Sequence, residues 1–430
     1  MNNLRIEKVE RIWVEVPLKE RHNRHLTREN WDWTVSEILR VHTNSELVGY
    51  GETMCYYTWS KVPQEQIERV IGKSPFEFLW DDTLGAGLQI AIYDLVGKAM
   101  GVPIYKLLGP KVRDWCPVSW WTNDMSAEDW IDEMKEAVSL GYMTAKLKAR
   151  PWRDFAALVT AMGKVVPSDF RFDADFNAFL LNAGNAAPYL LELEQIPGMA
   201  IFESPIPQGD VEGNKVLRGK IDCAIAMHYG SPPIQTTLRD EVCDGFVIGG
   251  GAQRVMAHAS VAAQMNKPFF LQMVGTGITN AFMLHFASTL SHANWPAVTC
   301  HEIYVDDLLK ERVEVLNGYA HVPEEPGLGI EVDEEAIARY RVEEGFNPPP
   351  PRNMYRVTWP SGASMLYGVG KVGVPNHAHP VARRGLWDDF TAGNQPLFHH
   401  GVRLEIVPDD GSDEWDALFK RVMEAPIREA

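Results

Sequence analysis

The feature that most constrains this chain is a recurrence of short, apolar, β-rich runs, each followed by a helical pattern. Most of the runs close on a polar residue. They end at Ser119-Trp120, Lys148, Asp175, Glu203, His228, Ile248, Gln272 and Glu302. From Lys148 onward, subtracting these positions gives spacings of 27, 28, 25, 20, 24 and 30 residues. A parallel strand and its crossover helix need about that much chain. Between the runs, Ala127–Leu140 reads as a helix started by Ser126 and stopped by Gly141, and Arg254–Asn266 as a helix after a glycine run. Roughly eight such units predict a (β/α) barrel, in which polar residues at the strand C-termini converge on one mouth. On rhythm alone, a doubly wound open sheet competes with it.

The flanks differ in character. Residues 4–16 and 36–50 alternate like strands, and the second reaches the turn Gly49–Glu52. Between them lies a polar, aromatic stretch read as a loop. Residues 63–72 and 87–100 read as helices. The division is therefore an α+β cap over 1–118, a barrel over 119–330 and a C-terminal segment over 331–430. That last segment carries Pro348–Pro351, short alternating runs rich in Gly, Trp and His, and a helix at Asp413–Glu424. It is expected to be β-rich and to pack on the cap or on a neighbouring subunit. The fold class is thus α/β, a modified barrel with an N-terminal α+β cap and a β-rich extension.

Composition bounds the partners. With Lys+Arg 41 against Asp+Glu 58 in 430 residues, the formal net charge is −17. That field repels phosphate, which argues against a nucleic-acid or anionic-membrane binder, though not against a small anion in a locally basic pocket. No apolar run approaches the ~18 residues of a membrane span. The first residues alternate like a strand and lack the apolar core of a signal peptide. Five scattered cysteines, Cys55, Cys116, Cys223, Cys243 and Cys300, form no zinc or redox motif and fit a reducing compartment. A cytoplasmic protein is expected.

Three runs end on groups suited to chemistry. Lys146 and Lys148 alternate onto one strand face. Inside a barrel their repulsion would favour loss of one proton, making a usable general base. On a solvated edge they would be ordinary surface charges. Asp175 and Glu203 each end an apolar run, where a buried acid needs a partner. On successive strands of one mouth they would form an oxygen site suited to Mg²⁺; taken singly, each could be a helix cap or a loop acid. In the tail, His377, His379, His399 and His400 read as surface histidines, lacking the spacing of a metal site. The glycines at 249–251 lack the spacing of a phosphate loop and read as a strand-to-helix turn.

Lys-x-Lys, then Asp-x-Asn one unit later, then Glu-x-Pro one unit after that, resembles the enolase superfamily, in the mandelate racemase and muconate lactonizing branch. The segments GYGET at 49–53, AIYDLVGKAMGVPIYKLLG at 91–109 and PGLGIEVDEEAI at 326–337 agree. The resemblance spans roughly residues 4–340. It implies a cap whose two loops, here 17–34 and 53–62, gate the barrel mouth. Those loops carry Arg21, His22, Arg24, His25, Trp31, Trp33, Tyr56, Tyr57 and Trp59. It also implies removal of a proton next to a carboxylate, with the enediolate stabilised by Mg²⁺. Lys148 would be the base. Lys146 would hold the substrate carboxylate and help depress Lys148. Asp175 and Glu203 would bind Mg²⁺, with Asn177 beside them, and Glu302 would hydrogen-bond the substrate carboxylate. Trp33, Tyr57 and Gln272 are the further substrate contacts.

The departures are specific. Where the family has a third metal-binding acid, this chain has AIAMHYG, so His228, Tyr229 or water completes the shell. The sixth and seventh strand ends, GFVIGGG and FFLQMVG, carry no His–Asp pair and no lysine; Gln272 stands in the histidine's place. Two-base racemisation is therefore disfavoured. The expected reaction is dehydration of a hydroxy acid of the acid-sugar type, with His228 or Tyr229 as the acid. A cycloisomerase or epimerase, or a ligand-binding relative without catalysis, are the alternatives. The expected partners are a small carboxylate and further copies of the chain in a homo-oligomer.

Overall fold

The computed structural model describes residues 4–57, 61–372 and 378–429. Trp59 and His377 lie outside the described residues. The cap sheet consists of β1 (Ile6–Glu15), β2 (Val35–Thr43) and β3 (Val48–Met54), all antiparallel. Two short helices, α1 (Glu20–Asn30) and α2 (Gln64–Val70), accompany it, and α3 (Ala86–Met100) lies across it. Helix α3 approaches so closely that a Cβ at Gly49 would fall 2.1 Å from the Ala91 carbonyl oxygen, and one at Gly51 would fall 2.0 Å from that of Gly87. The glycines of the GYGE stretch are there to admit this helix. Leu39, Val41, Leu88, Ala91, Ile92, Leu95 and Val96 fill the contact.

Helix α1 overturns the expectation of a loop over 17–34. It carries one buried apolar residue, Leu26, so no hydrophobic stripe announces it. Its inward face is polar: His22, His25, Arg28 and Glu29 are buried there.

After α4 (Tyr105–Leu108) and β4 (Trp115–Pro117) the barrel begins. Its strands are β5 (Trp120–Thr122), β6 (Thr144–Lys148), β7 (Arg171–Asp175), β8 (Met199–Glu203), β9 (Ala224–His228), β10 (Gly245–Ile248) and β11 (Phe269–Leu271). They form one parallel sheet in chain order. The helices between them are α5 (Ala127–Ser139), α6 (Phe155–Met162), α7 (Ala183–Leu193), α8 (Val211–Arg218), α9 (Ile234–Arg239), α10 (Ala252–Gln264) and α11 (Gly277–Thr289). Ser126, Asp154, Asn182 and Asp210 cap four of them with side-chain oxygens.

The sheet closes, which removes the open-sheet alternative. The eighth run is not a full strand, however. Closure rests on two residues: the Ala297 amide donates to Pro117 O and the Val298 amide to Leu271 O, both at 2.9 Å. The chain then leaves the wall at Cys300, whose φ of 62° is left-handed, and enters a short turn at His301–Ile303. The strand expected to end at Glu302 thus stops short, and Glu302 is carried past the rim.

Strands β12 (Val315–Leu316) and β13 (Tyr319–His321) add to β4; after α12 (Glu334–Tyr340), β14 (Arg341–Val342) joins β1 in the cap sheet. The tail forms its own sheet from β15 (Asn353–Thr358), β16 (Ser364–Tyr367), β17 (Arg403–Pro408) and β18 (Ile427–Glu429), with α13 (Leu386–Thr391) and α14 (Asp413–Glu424) beside it. It touches both other parts of the molecule. Trp387 meets Phe179, Phe398 meets Phe176, and Arg153 donates to Leu404 O on the barrel side. On the cap side, Lys371 pairs with Asp32, and Trp31 donates to Pro348 O. Among the described residues no helix is long and apolar enough to cross a membrane.

Candidate active site

Parallel pairing fixes the centre of the site. Lys148 registers with Asp175, and Asp175 with Glu203, so three strand ends set a lysine and two acids side by side. Alternation along β6 adds Lys146 on the same face. Its ammonium lies 2.5 Å from Glu203 Oε2 and 3.7 Å from Asp175 Oδ2, and it donates to Gln272 Oε1 at 2.6 Å. Lys148 donates to Asp175 and, at 3.4 Å, to Asn177 Oδ1. Arg150, two residues further on, also donates to Asn177 Oδ1, at 3.0 Å.

Burial and neighbouring charge set the two lysines apart. Burial, with Lys146 and Arg150 acting in the same direction, holds Lys148 below the ordinary lysine range against the pull of Asp175. Burial also opposes the charge on Lys146, but Glu203 and Asp175 outweigh it and raise Lys146 above that range. Against the cost of its own burial, Asp175 is held far down by Lys148 and Lys146. Asp173, on the same face of β7, is pushed up to about 7 by burial. Lys148 is thus the lysine that gives up its proton more readily, and Lys146 the fixed cation.

A cavity of about 230 Å³ opens beside this centre, lined by Tyr57, His228, Tyr229, Arg254, His258 and Gln272 among others. Gln272 belongs both to its wall and to the Lys146 hydrogen bond, and His228 both to its wall and to the Glu203 contact, so the cavity adjoins the cluster, whose lysines and acids lie behind those two side chains. Trp33 does not line this cavity. It is buried and packs edge-on against Tyr57 at 4.9 Å, supporting that ring from behind. Tyr229 stacks on His258 with ring centres 3.9 Å apart.

The third metal position falls to His228, Tyr229 or water by the sequence. Among the described residues no three His, Cys, Asp or Glu side chains gather as a metal-binding group. His228 is half exposed, with Nε2 3.3 Å from Glu203 Oε1, and so acts as a partner of that acid. The two acids fit a cation better. Both buried oxygens of Glu203 lack a hydrogen-bond partner, although Lys146 and His228 stand within ion-pair distance of them.

Glu302 is not brought to the lysines. The turn after Cys300 aims it into a separate cavity of about 540 Å³ with Trp120, Tyr142, His301 and Arg312. Burial there pushes its carboxyl up to about 7. The Cys300 thiol takes the place nearer the lysines, buried and held above its ordinary range by that burial. Nor does the first cap segment reach the mouth. Arg21 and His22 bind Glu133, while Arg24 and His25 bind Asp129, all on α5. Sequence reading passed over Arg150, Asp173, Arg254 and His258. The first two continue the alternation of Lys148 and Asp175, and the last pair has i, i+4 spacing on α10, so a signal for each was present.

A closed parallel barrel with lysines and acids at its strand ends, under an α+β cap, defines a class of enzyme. The comparisons agree. Residues 129–336 match the family model described as enolase C-terminal domain-like. The chain is 26% identical over 338 residues to arabinonate dehydratase of Saccharolobus solfataricus, covering 70% of this chain and 89% of that protein. It is 24% identical to chloromuconate cycloisomerase of Cupriavidus pinatubonensis, covering 71% and 91%. The structure of muconate lactonizing enzyme from Pseudomonas putida superposes with a TM-score of 0.63 at 20% identity, covering 79% of this chain and all of that one. Residues 129–336 thus form an enolase C-terminal-like domain, and the relatives and structural neighbours of the chain are members of the mandelate racemase and muconate lactonizing branch of the enolase superfamily.

Proposed function

We propose that the protein is a dehydratase of small hydroxy acids of the acid-sugar type. The observation that carries this reading is the strand-end cluster of Lys146, Lys148, Asp175 and Glu203 standing beside the cavity walled by Gln272 and His228. Asp175 and Glu203 would hold Mg²⁺, with water completing the shell, since Mg²⁺ keeps several waters when few carboxylates bind it. When bound, the ion supplies positive charge for the substrate carboxylate.

The chain's own residues then divide the work. Lys146 stays charged against the substrate carboxylate, held in place by Gln272 and Glu203. Lys148, with its ammonium disfavoured by burial, takes the α-proton on Nζ. Arg150 and Asn177 fix its position. The β-hydroxyl leaves as water with a proton from His228 in its imidazolium form, which stands at the rim and is left as neutral imidazole; Tyr229, half-buried and stacked on His258, is the other donor within the same wall. The enol left behind tautomerises to a 2-keto-3-deoxy acid. Gln272 faces the lysines where a second base would stand, and an amide cannot take a proton at neutral pH. That supports loss of a leaving group, or the ring chemistry of a cycloisomerase, over racemisation.

The relatives supply the panel: arabinonate, D-xylonate, D-gluconate and D-galactonate are the substrates named for four of them. With Mg²⁺ in D₂O, at least one such acid should give a 2-keto-3-deoxy product. Lys148→Ala should remove the activity by about a thousandfold, the scale of a lost general base. No product and no α-deuterium from any acid, or full activity in the variant, would reject the enzyme and leave a ligand-binding relative.

A further inference from the structure

One cation at the mouth has no use in the chemistry above. Arg254 sits in the first turn of α10 and lines the same cavity as Gln272, His228 and Tyr229. Its guanidinium has no ion pair among the described residues, and the undescribed residues contain no acid. The nearest candidate, Asp82, is already occupied. It accepts from the backbone amides of Gln253 and Arg254 at 3.0 and 2.8 Å and from the Gln89 amide at 3.0 Å, which anchors the start of α10. The wall around Arg254 adds hydrogen-bonding groups and no opposing charge. His258, one turn along α10, is clamped on the Tyr229 ring, and burial together with Arg254 lowers its pKa, so it stands neutral.

The cavity therefore lies between two differently charged groups, reaching the first through Gln272 and His228 and lined by the second. Toward β6, the lysines are matched by Asp175 and Glu203. Toward α10, an unmatched guanidinium faces the same space. A planar fork of N–H donors is matched by a carboxylate or phosphate, which accepts two of them at once. We infer that the acid this site takes carries a second anionic group at the end remote from its reacting carbon, and that Arg254 is the residue that reads it. This rests on the proposed reaction only for which end is called remote. A hexarate or a 6-phosphohexonate has that form; the plain aldonates named for the relatives do not.

The test uses three acids of one configuration: D-gluconate, D-glucarate and 6-phospho-D-gluconate, with D-galactonate and galactarate as a second pair. Binding is read by calorimetry on the full chain carrying Lys148→Ala, with Mg²⁺, so no turnover intervenes. A remote anion should tighten binding at least about tenfold over the matching hexonate, the scale of a charge-assisted bidentate contact at an exposed arginine. Arg254→Gln should erase the preference, and Arg254→Lys should keep part of it. Preference for glucarate over the phosphate ester identifies a terminal carboxylate, and the reverse a phosphate. Equal binding of the paired acids, no binding of any doubly anionic acid, or a preference that survives Arg254→Gln overturns the inference. Exchange in D₂O by the unsubstituted protein separates the two claims. A preference for the doubly anionic acid without α-exchange sinks the proposed reaction and spares Arg254; exchange of hexonates with no such preference does the opposite.

Discussion

The barrel mouth and the junction beneath α1 are both dense with buried charge, and they are built for different ends. At the junction Asp124 and Glu133 are each shared among several donors. Asp124 accepts from Arg28, from Arg153 at 3.1 Å and from Trp152 at 3.0 Å. Glu133 accepts from Arg21 at 2.6 Å and from His22 and Trp120 at 3.0 Å each. These bonds join cap to barrel, because their members come from α1, β5 and the loop after it, α5 and the loop after β6, and Arg153 reaches on to the tail through Leu404 O. At the mouth, bonding capacity is left over. Glu203 keeps oxygens without a hydrogen-bond partner, Lys148 is largely buried against its charge, and the group stands beside a cavity. The junction also keeps buried atoms without a hydrogen bond, Arg28 Nε and Nη1 and His22 Nδ1 among them, so what marks chemistry at the mouth is unsaturated charge beside an opening.

Substitutions on the two sides should separate them. The largest effect belongs to Lys148→Ala. Activity should fall about a thousandfold while the thermal midpoint holds or rises, since a buried cation beside Lys146 and Arg150 is removed. A clear loss of stability would make Lys148 architectural. Asp124→Asn should do the reverse. Leaving Arg28 and Arg153 buried without their acid should cost about 3–5 kcal/mol in urea unfolding, with the rate per folded molecule kept. An unchanged midpoint would show that the junction does not hold the molecule together.

Glu302 tests the boundary between the two regions. Its carboxyl lies near 7 in the folded protein against 4.5 for an ordinary glutamate. The folded state thus holds this proton more tightly than the unfolded chain. The resulting stability is lost as pH rises from about 4.5 through about 7. Glu302→Gln should therefore raise the melting temperature at pH 8 and change it little at pH 4.5. A variant gain that is the same at both pH values would return Glu302 to a charged role. The smallest effect is expected at the surface: His400→Ala removes exposed pairs with Asp154 and Glu192 and should move stability by less than about 0.5 kcal/mol.

The same contrast explains what could be read in advance. The strand ends at Lys148, Asp175, Glu203 and His228 were legible because each closes a local apolar run, and parallel pairing then brings them together. Helix α14 was legible because Asp413–Glu424 carries a cap at Ser412 and an amphipathic pattern. Helix α1 was not, because its buried face is made of charges whose partners lie about a hundred residues away. For the same reason Arg21, His22, Arg24 and His25 read as mouth residues, when their partners are on α5. Glu302 was misplaced because one left-handed residue, Cys300, redirects the chain, and no periodicity encodes that turn.

By itself, then, the sequence determined the barrel rhythm and the lysines and acids that meet at the strand ends, because strand alternation and crossover length are local properties of the chain. Only the tertiary structure decided which charges are saturated, where Glu302 points and that Arg254 stands unmatched at the mouth. Those outcomes depend on partners distant in sequence and on burial, and neither is written in any single segment.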